Sequence, residues 1–226
     1  MNWELDHVLF ATSDAGPVER ALAEFGFTFT EHRVHRGQGT ANARAIFENA
    51  SLEIMRSDDL EELRSDVVKP LGLDERIHWR DTGACPFGLC FRPGAAAGDP
   101  RAWPFATWDY QAAYLPKGTS IPIVTPARCV LDPLVFIAAR SESPAGMPTR
   151  LRETGLHRGE RRTLTRVGVH RPEPTSPLSA GVRWFVENGL FSLDEGDQHV
   201  LELEWDRGQE GRSHRFAAGV PIVVRW

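Results

Sequence analysis

The order of apolar patterns in the first sixty residues constrains the fold of this chain more than any other feature. Residues 5–12 (LDHVLFAT) form a short apolar run that is typical of a buried strand. Val18, Leu22 and Phe25 then recur at helical spacing, and Gly26 can end that helix. Three extended segments follow, at 27–34, 44–48 and 52–55. This order of strand, helix and three strands predicts a βαβββ unit.

Beyond residue 80 the patterns are weaker but still rich in strands. Pro122 favours an edge position for the short apolar segment that contains it, because proline cannot donate to a ladder. Strands are predicted at 87–92, 121–124, 163–170, 199–205 and 215–226, an extended aromatic stretch at 103–115, a helix at 180–189, and the start of a further unit at 131–139. We therefore expect a first module over 1–80. A divergent second module with a strand-rich extension is expected over 81–226, in one compact unit.

Composition and charge exclude several classes of protein. The chain has 226 residues and a formal net charge of -5, which disfavours nucleic-acid binding. The basic run 158–166 is typical of a solvated face. Three cysteines form neither a disulfide framework nor a zinc ribbon. Neither a signal peptide nor a membrane span is indicated, so a cytoplasmic location is expected.

Two short motifs carry a family resemblance. The first is the Asp6-His7 pair, and the second is an H-x-G-x-G-T-x-N string that starts at His35 and ends at Asn42. In this order they resemble the glyoxalase-like domain family of the vicinal-oxygen-chelate superfamily. The resemblance covers about the first sixty residues most clearly. It implies an α+β fold in which βαβββ modules form a cup-shaped mixed or antiparallel sheet, here with a divergent second half.

The resemblance also implies a metal site. Ligand positions of the family's first module correspond to His7 and Glu53, which are also the implied catalytic residues. Such a pair suits a divalent Zn, Ni, Fe or Mn ion. The second module departs from the pattern, because Cys85 and Pro86 open its first strand and the segment 120–124 (SIPIV) has no glutamate. The residues that could complete the ligand set are His78, Asp109, Glu202 and Glu204.

The two implied ligands also have purely structural interpretations. His7 shares a strand face with Leu5 and Leu9, as either a pocket residue or a core histidine would. Glu53 lies in an apolar strand, where a carboxylate needs a partner if it is buried. Its alternative is a solvent-facing position. If both are functional, His7→Ala and Glu53→Ala should reduce ligand binding with little loss of folding, and metal binding should be weak or absent.

The glycine-rich segment 35–42 is the most distinctive part of the sequence. Its glycines allow close approach of the backbone to a ligand, although a purely structural turn remains the alternative. The substrate-binding candidates are His35, Gln38, Thr40, Asn42 and, in the aromatic stretch, Trp108. At least one of Trp103, Trp108 and Tyr110 should border the main cavity; core packing is their alternative role. His7, His35 and Glu53 should line one pocket with residues 35–40 as its rim.

Two functions follow from this reading. The first is a glyoxalase-like small-molecule site, which could carry out metal-dependent lyase, isomerase or dioxygenase-type chemistry. The alternative is a non-catalytic protein that binds or sequesters a drug or metabolite, which the incomplete ligand set favours. Whether the chain is an enzyme stays open at this point. Its expected partner is a small molecule rather than nucleic acid or a membrane, and the resemblance also allows a homodimer.

Overall fold

The computed structural model describes residues 3–94, 103–138, 163–172, 177–217 and 219–226. The strands are β1 (Trp3–Ala11), β2 (Arg33–His35), β3 (Thr40–Ile46), β4 (Ser51–Ser57), β5 (Phe87–Pro93), β6 (Trp108–Tyr110), β7 (Ile121–Ile123), β8 (Leu134–Ile137), β9 (Leu164–Arg171), β10 (Ser192–Glu195), β11 (Val200–Trp205), β12 (Ser213–Arg215) and β13 (Ile222–Arg225). The helices are α1 (Ala15–Phe25), α2 (Leu60–Leu63), α3 (Leu73–Ile77), α4 (Trp79–Thr82) and α5 (Ala180–Glu187), with 3-10 turns at Lys69–Leu71 and Asp206–Gly208. Residues 158–162 of the basic run lie outside the described residues.

The first eight strands form a single curled sheet in the order β2-β3-β4-β1-β5-β8-β7-β6. β1 pairs with β4 in parallel, β5 pairs with β8 in parallel, and β1 and β5 join the two halves as antiparallel neighbours. The second half therefore repeats the strand order of the first about a two-fold axis. This confirms the expected α+β fold with a cup-shaped mixed sheet and two modules.

The first module follows the predicted order, with two corrections. Segment 27–34 is not a continuous strand, because only an isolated bridge at Phe29 and the short β2 pair with β3. The turn is also shorter than predicted, since β3 already begins at Thr40. Gly37 and Gly39 have φ values of 78° and 73°, a conformation that other residues rarely adopt. The glycines confine the turn to four residues.

The second module corrects three predictions. Within the aromatic stretch 103–115 only β6 is a strand, and β7 lies beside the edge rather than at it, because β6 covers its outer side. Segment 131–139 contains β8, which is the fourth strand of this module and not the start of another unit. Pro122 pairs with Asp109 of β6, and β7 pairs with β8 through Ile123 and Phe136.

The C-terminal strands form a second sheet in the order β10-β9-β11-β13-β12. Its apolar side chains share one core with the outer face of the first sheet and with α1 and α5. Asn49 fixes this packing, because its amide donates to the carbonyl of Leu164 and accepts from the Leu164 amide, at 2.8 and 2.9 Å. None of the described helices is long and apolar enough to cross a membrane. The division at residue 80 stays a prediction.

The inner face of the first sheet has its own, smaller core. Side chains of β1, β4 and β8 pack there against the chain from Leu63, the last residue of α2, to Ile77, the last residue of α3. Alternation in β1 directs Val8 and Phe10 to the outer core and Leu9 to the inner one. The inner core fills part of the cup and leaves a cavity beside it.

Candidate functional site

The cavity lies on the inner face of the first sheet and has a volume of about 310 Å³. Its polar wall comes mainly from the first module, and its apolar wall mainly from the second. The polar lining consists of Asp6, His7, Arg33, His35, Gln38, Arg44, Glu53, Cys90, Tyr110 and Tyr114. The apolar lining consists of Leu9, Met55, Leu71, Leu73, Leu115, Ile121, Ile123, Leu134, Phe136, Ile137 and Ala138.

A bulge in β1 turns two consecutive polar residues toward the cavity. The register of β1 against β5 shifts between Leu5 and His7, so that both Asp6 and His7 line the cavity. His7 Nδ1 donates to Asp6 Oδ1 at 2.7 Å, while Arg92 Nη1 donates to Asp6 Oδ2 at 3.2 Å. Burial alone would raise the pKa of Asp6, but His7 and Arg92 hold it below its usual value. Asp6 is therefore ionised and oriented from both sides.

Glu53 is the centre of a buried polar cluster. Asn42 Nδ2 donates to its Oε2 at 2.5 Å, and Arg44 Nη2 lies 2.6 Å from its Oε1. His7 Nε2 lies 3.8 Å from the same Oε1. Burial alone would raise the pKa of Glu53, but Arg44, His7, His35 and the Asn42 hydrogen bond lower it. The carboxylate thus stays charged inside the protein.

Glu53 and its neighbours act on His7 in the opposite sense. Burial alone would lower the pKa of His7, but Cys90, Glu53 and Asp6 together raise it well above its usual value. The imidazole thus favours the protonated form, with Nδ1 donating to Asp6. Burial is the main reason that the pKa of the Cys90 thiol is raised. His7 therefore favours the cationic form beside Asp6 and Glu53, with the Cys90 thiol next to it.

His35 takes the opposite, neutral state, and a series of hydrogen bonds orients its ring. Tyr110 donates to Gln38 Oε1 at 3.3 Å, and Gln38 Nε2 donates to Thr40 Oγ1 at 2.9 Å. Thr40 Oγ1 lies 3.0 Å from His35 Nδ1. Burial lowers the pKa of His35 to about 4, and the nearby cations Arg33, Arg44 and His7 add to this against Glu53. This series of hydrogen bonds assigns the proton of the neutral His35 ring to Nε2, with the Thr40 hydroxyl donating to Nδ1.

The structure brings most of the sequence candidates together. His7, His35, Gln38 and Glu53 line one cavity, and residues of the 35–40 turn form part of its wall. Thr40 and Asn42 lie behind this wall and hold His35 and Glu53. Their roles in binding or catalysis stay predictions.

The aromatic stretch divides between the cavity and the core. Tyr110 lines the cavity, but Trp108 is not among the lining residues, and its Nε1 donates to the Thr125 carbonyl at 2.9 Å. Trp103 packs against Trp3 in the outer core. Trp108 and Tyr110 are two positions apart in β6 and both pack with the inner core, but the Trp108 indole is held by its hydrogen bond to Thr125 and does not line the cavity.

The residues proposed to complete a metal site lie elsewhere. His78 pairs with Asp74, Asp109 accepts from Ser120, and Glu202 pairs with Arg225. Glu204 belongs to β11 in the other sheet. Several cavity residues were missed from the sequence, namely Asp6 as a lining group, Arg33, Arg44, Cys90 and Tyr114. Strand alternation could have identified Arg44, because it follows Asn42 by two residues in β3.

The strand register locates the second-module positions that correspond to His7 and Glu53. His7 lies opposite Ser51, the first residue of β4, and Gly88 lies opposite Leu134, the first residue of β8. When these two pairs are superimposed, Gly88 takes the position of His7. The pair of Leu9 and Glu53 in the first module then corresponds to the pair of Cys90 and Phe136 in the second. Phe136 therefore takes the position of Glu53. The fourth strand is β8 and not segment 120–124, but the ligand positions in it are equally without a donor.

A metal ion does not fit the residues at the family position. Gly88 and Phe136 supply no donor, and Arg44 already places a cation 2.6 Å from Glu53 Oε1. A Cβ atom at Gly88 would lie 3.0 Å from Leu9 Cδ2, so Leu9 closes that position. Two donors remain, and a catalytic zinc takes three protein ligands.

A second group of donors lies nearby. One ligand atom from each of Asp6, His7 and Cys90 falls within 4.8 Å of the others, an arrangement that could hold a metal ion. Both Asp6 oxygens are, however, already bound by His7 and Arg92. This pairing satisfies the carboxylate without an ion, and no step is assigned to a metal here.

Comparison with known proteins gives a family match over part of the chain and a shared fold over nearly all of it. A family described as glyoxalase-like domain matches residues 5–112. No curated protein matches the chain. A crystal structure of a hypothetical protein from Staphylococcus aureus aligns with a TM-score of 0.59 and 10% identity, over 99% of this chain and 98% of that chain. That alignment includes the C-terminal sheet, so the fold is shared over the whole length.

Two further structures align with a smaller part of the chain. A methylmalonyl-CoA epimerase in complex with methylmalonyl-CoA and NH4+ gives a TM-score of 0.39 at 20% identity, over 62% of this chain and 98% of that chain. A Streptomyces coelicolor methylmalonyl-CoA epimerase variant with 2-nitronate-propionyl-CoA gives 0.40 at 20% identity, over the same shares. Residues 5–112, which contain the whole first βαβββ module, are therefore similar to a glyoxalase-like domain.

Proposed function

We propose that this protein binds a small organic molecule in the cavity of its first sheet, and that binding needs no metal ion. The observation that supports this most directly is the cavity itself, at about 310 Å³, with an apolar wall and a compact polar wall. Ligand pockets are concave, mainly apolar and of about 300–1,000 Å³, with a few polar groups that fix orientation. The cavity is at the small end of that range, which suits a compact ligand.

The polar wall offers the ligand hydrogen bonds in fixed protonation states. His35 is neutral, and its assigned tautomer makes Nε2 a donor. His7 favours the protonated form and is oriented by Asp6. Both rings are held by buried neighbours, so little ordering is needed when a ligand arrives. Preorganised donors of this kind favour oxygen atoms of a ligand.

Between the two candidate functions, the geometry favours the binding protein. Metal-dependent lyase, isomerase or dioxygenase chemistry requires an ion that polarises substrate oxygens, and the Arg44–Glu53 pair occupies the corresponding place. We therefore propose a binding or sequestering role without an assigned reaction. A homodimer and a cytoplasmic location stay predictions.

A neutral fluorescent probe tests the binding proposal. N-phenyl-1-naphthylamine should show enhanced fluorescence with the wild-type protein, because its apolar rings enter the cavity. Ile121→Trp fills part of the apolar wall and should abolish the enhancement. Val34→Trp is the matched control, because Val34 is 46% exposed and does not line the cavity. Equal enhancement in all three proteins would refute binding in this cavity.

Metal removal tests the second half of the proposal. Treatment of the purified protein with EDTA should leave probe affinity and thermal stability unchanged. A loss of affinity that zinc restores would contradict metal independence. Cys90→Ser would then locate the ion, because it weakens a site at Asp6, His7 and Cys90 and leaves a His7–Glu53 site intact.

A further inference from the structure

We propose that the ligand of this cavity is a monoanionic amphiphile, with one carboxylate-type head bound at Arg33 and an apolar body against the wall of the second module. This inference rests on the proposed binding function and adds a substrate class to it. Three features of the cavity carry it: an arginine without a carboxylate partner, the prior commitment of the acidic groups, and the division of the walls.

Arg33 is a lining cation without a carboxylate partner among the described residues. It lies in β2, and its guanidinium carbon is 5.8 Å from the centre of the Tyr114 ring. Tyr114 in turn packs on the His35 ring, with the two centroids 4.7 Å apart and the planes inclined by 30°. The aromatic support holds the guanidinium at the cavity without neutralising it. Planar guanidinium groups bind carboxylates by two parallel hydrogen bonds.

The acidic groups of the cavity are already paired with other cations. Glu53 is ion-paired with Arg44 through Oε1 and hydrogen-bonded by Asn42 at Oε2, and Asp6 is paired with Arg92 and His7. Neither carboxylate is therefore available to neutralise Arg33. Arg33 is exposed to solvent and also lines the cavity, so an anionic ligand can pair with its guanidinium, whereas a cationic ligand would be repelled by it.

The remaining wall determines the other end of the ligand. Leu115, Ile121, Ile123, Leu134 and Phe136 of the second module form an apolar surface in the same cavity. A ligand that is charged at both ends would lose hydration there without a partner. The combination of one charged head and an apolar body therefore fits both walls.

Three probes of matched shape test the head group: 4-phenylbutanoate, 4-phenylbutanamide and 4-phenylbutylamine. Isothermal titration calorimetry with the wild-type protein should show about tenfold tighter binding of the carboxylate than of the amide, and weaker binding still of the amine. The preference should shrink with added salt. Arg33→Gln should remove it, whereas Arg33→Lys should keep part of it.

Arg36→Gln is the matched control, because Arg36 is an exposed arginine in the adjoining turn and does not line the cavity. It should retain the full preference for the carboxylate. Equal binding of the carboxylate and the amide by the wild-type protein would overturn the inference. An equal loss of the carboxylate preference in Arg33→Gln and Arg36→Gln would overturn it as well. The binding proposal would survive that result if N-phenyl-1-naphthylamine still enters the cavity. Failure of the neutral probe as well would refute the binding proposal itself.

Discussion

The two modules of the first sheet share a strand order but differ in the wall that they present to the cavity. The first module places His7 and Glu53 on its inner face, and the second places Gly88 and Phe136 at the corresponding positions. The ring centroids of Phe136 and His7 are 5.4 Å apart, so the apolar position directly covers the polar one. The second module thus contributes an apolar wall beside the polar groups of the first.

The difference shows which face of the sheet carries the fold. On the outer face, Val8 and Phe10 of β1 and Leu89 and Phe91 of β5 all join the same core. These positions are apolar in both modules because the C-terminal sheet and α1 pack on them. On the inner face the smaller core covers only part of the sheet, and the positions that line the cavity differ between the modules.

The largest expected effect comes from breaking the polar wall at Glu53. Glu53→Leu leaves the positive charges of Arg44 and His7 without their carboxylate partner. Removal of one partner of a buried ion pair lowers the free energy of unfolding by about 3–5 kcal/mol. The partial exposure of Arg44 moves the expectation to the lower end of that range. Urea denaturation would measure the loss. This differs from the expectation from sequence of little effect on folding, because the burial of the cluster was not visible there.

A double variant separates the charge from the packing. Glu53→Leu combined with Arg44→Leu removes both charges, and at least half of the stability lost in Glu53→Leu should return. In the second module, Phe136→Leu keeps an apolar side chain and should cost about 1 kcal/mol. Equal losses for Glu53→Leu and Phe136→Leu would mean that the two walls are held together in the same way.

The sequence predicts the fold better than the site. Alternation and helical spacing indicate β1, α1 and β5, because each is long enough to show a period. β6 and β7 have three residues each, so their patterns are too short, and β8 was assigned to a further unit. Pairing between the halves depends on contacts far apart in sequence, as between β1 and β5.

At the site, the motifs predict His7, His35 and Glu53 but not their partners. Asp6 reaches the cavity because of a bulge, which no local pattern announces. Tyr114 arrives from 79 positions beyond His35 and stacks on it, as the numbering of the two residues shows. Of the three aromatic candidates, Tyr110 lines the cavity, whereas the Trp108 indole donates to the Thr125 carbonyl. Tertiary contacts of this kind decide between two neighbouring aromatic side chains.

The two histidines of the polar wall should give opposite pH dependences of stability. The pKa of His35 is lowered to about 4, so below about pH 6.5 the unfolded chain takes up a proton that the folded protein does not. Stability should fall by up to about 3 kcal/mol as pH decreases from 6.5 towards 4. His35→Gln should reduce this acid-side loss, as urea midpoints at several pH values would show.

His7 has the reverse sign. Its pKa is raised in the folded protein, so its contribution to stability is fully present below the pKa of the unfolded chain and disappears as pH rises through the raised pKa. His7→Gln should therefore flatten the alkaline side of the stability profile and leave the acid side unchanged. Two variants with the same profile would show that the assigned protonation states are wrong.

A smaller effect is expected where the second module lacks a side chain. Gly88→Ala places a Cβ atom 3.0 Å from Leu9 Cδ2 and 3.4 Å from the Leu134 carbonyl oxygen. Overpacking of this kind costs about 1–2 kcal/mol. Gly16→Ala is the control, because Gly16 lies in α1 and an alanine there is neutral or stabilising by up to about 1 kcal/mol. If Gly88→Ala is as stable as the wild type, Leu9 does not close this position.

The smallest expected effect concerns the hydrogen bond that joins the two walls. Tyr110 belongs to the second module, and its hydroxyl donates to Gln38 in the turn of the first module. Tyr110→Phe removes the donor and leaves Gln38 Oε1 buried without it, which should cost about 1 kcal/mol. Tyr114→Phe should cost less, because the structure gives the Tyr114 hydroxyl no hydrogen bond to the described residues. In a Gln38→Leu background, the cost of Tyr110→Phe should disappear, since its acceptor is already absent. A cost that persists there would assign the effect to packing of the Tyr110 ring, and the walls would then be joined by apolar contact alone.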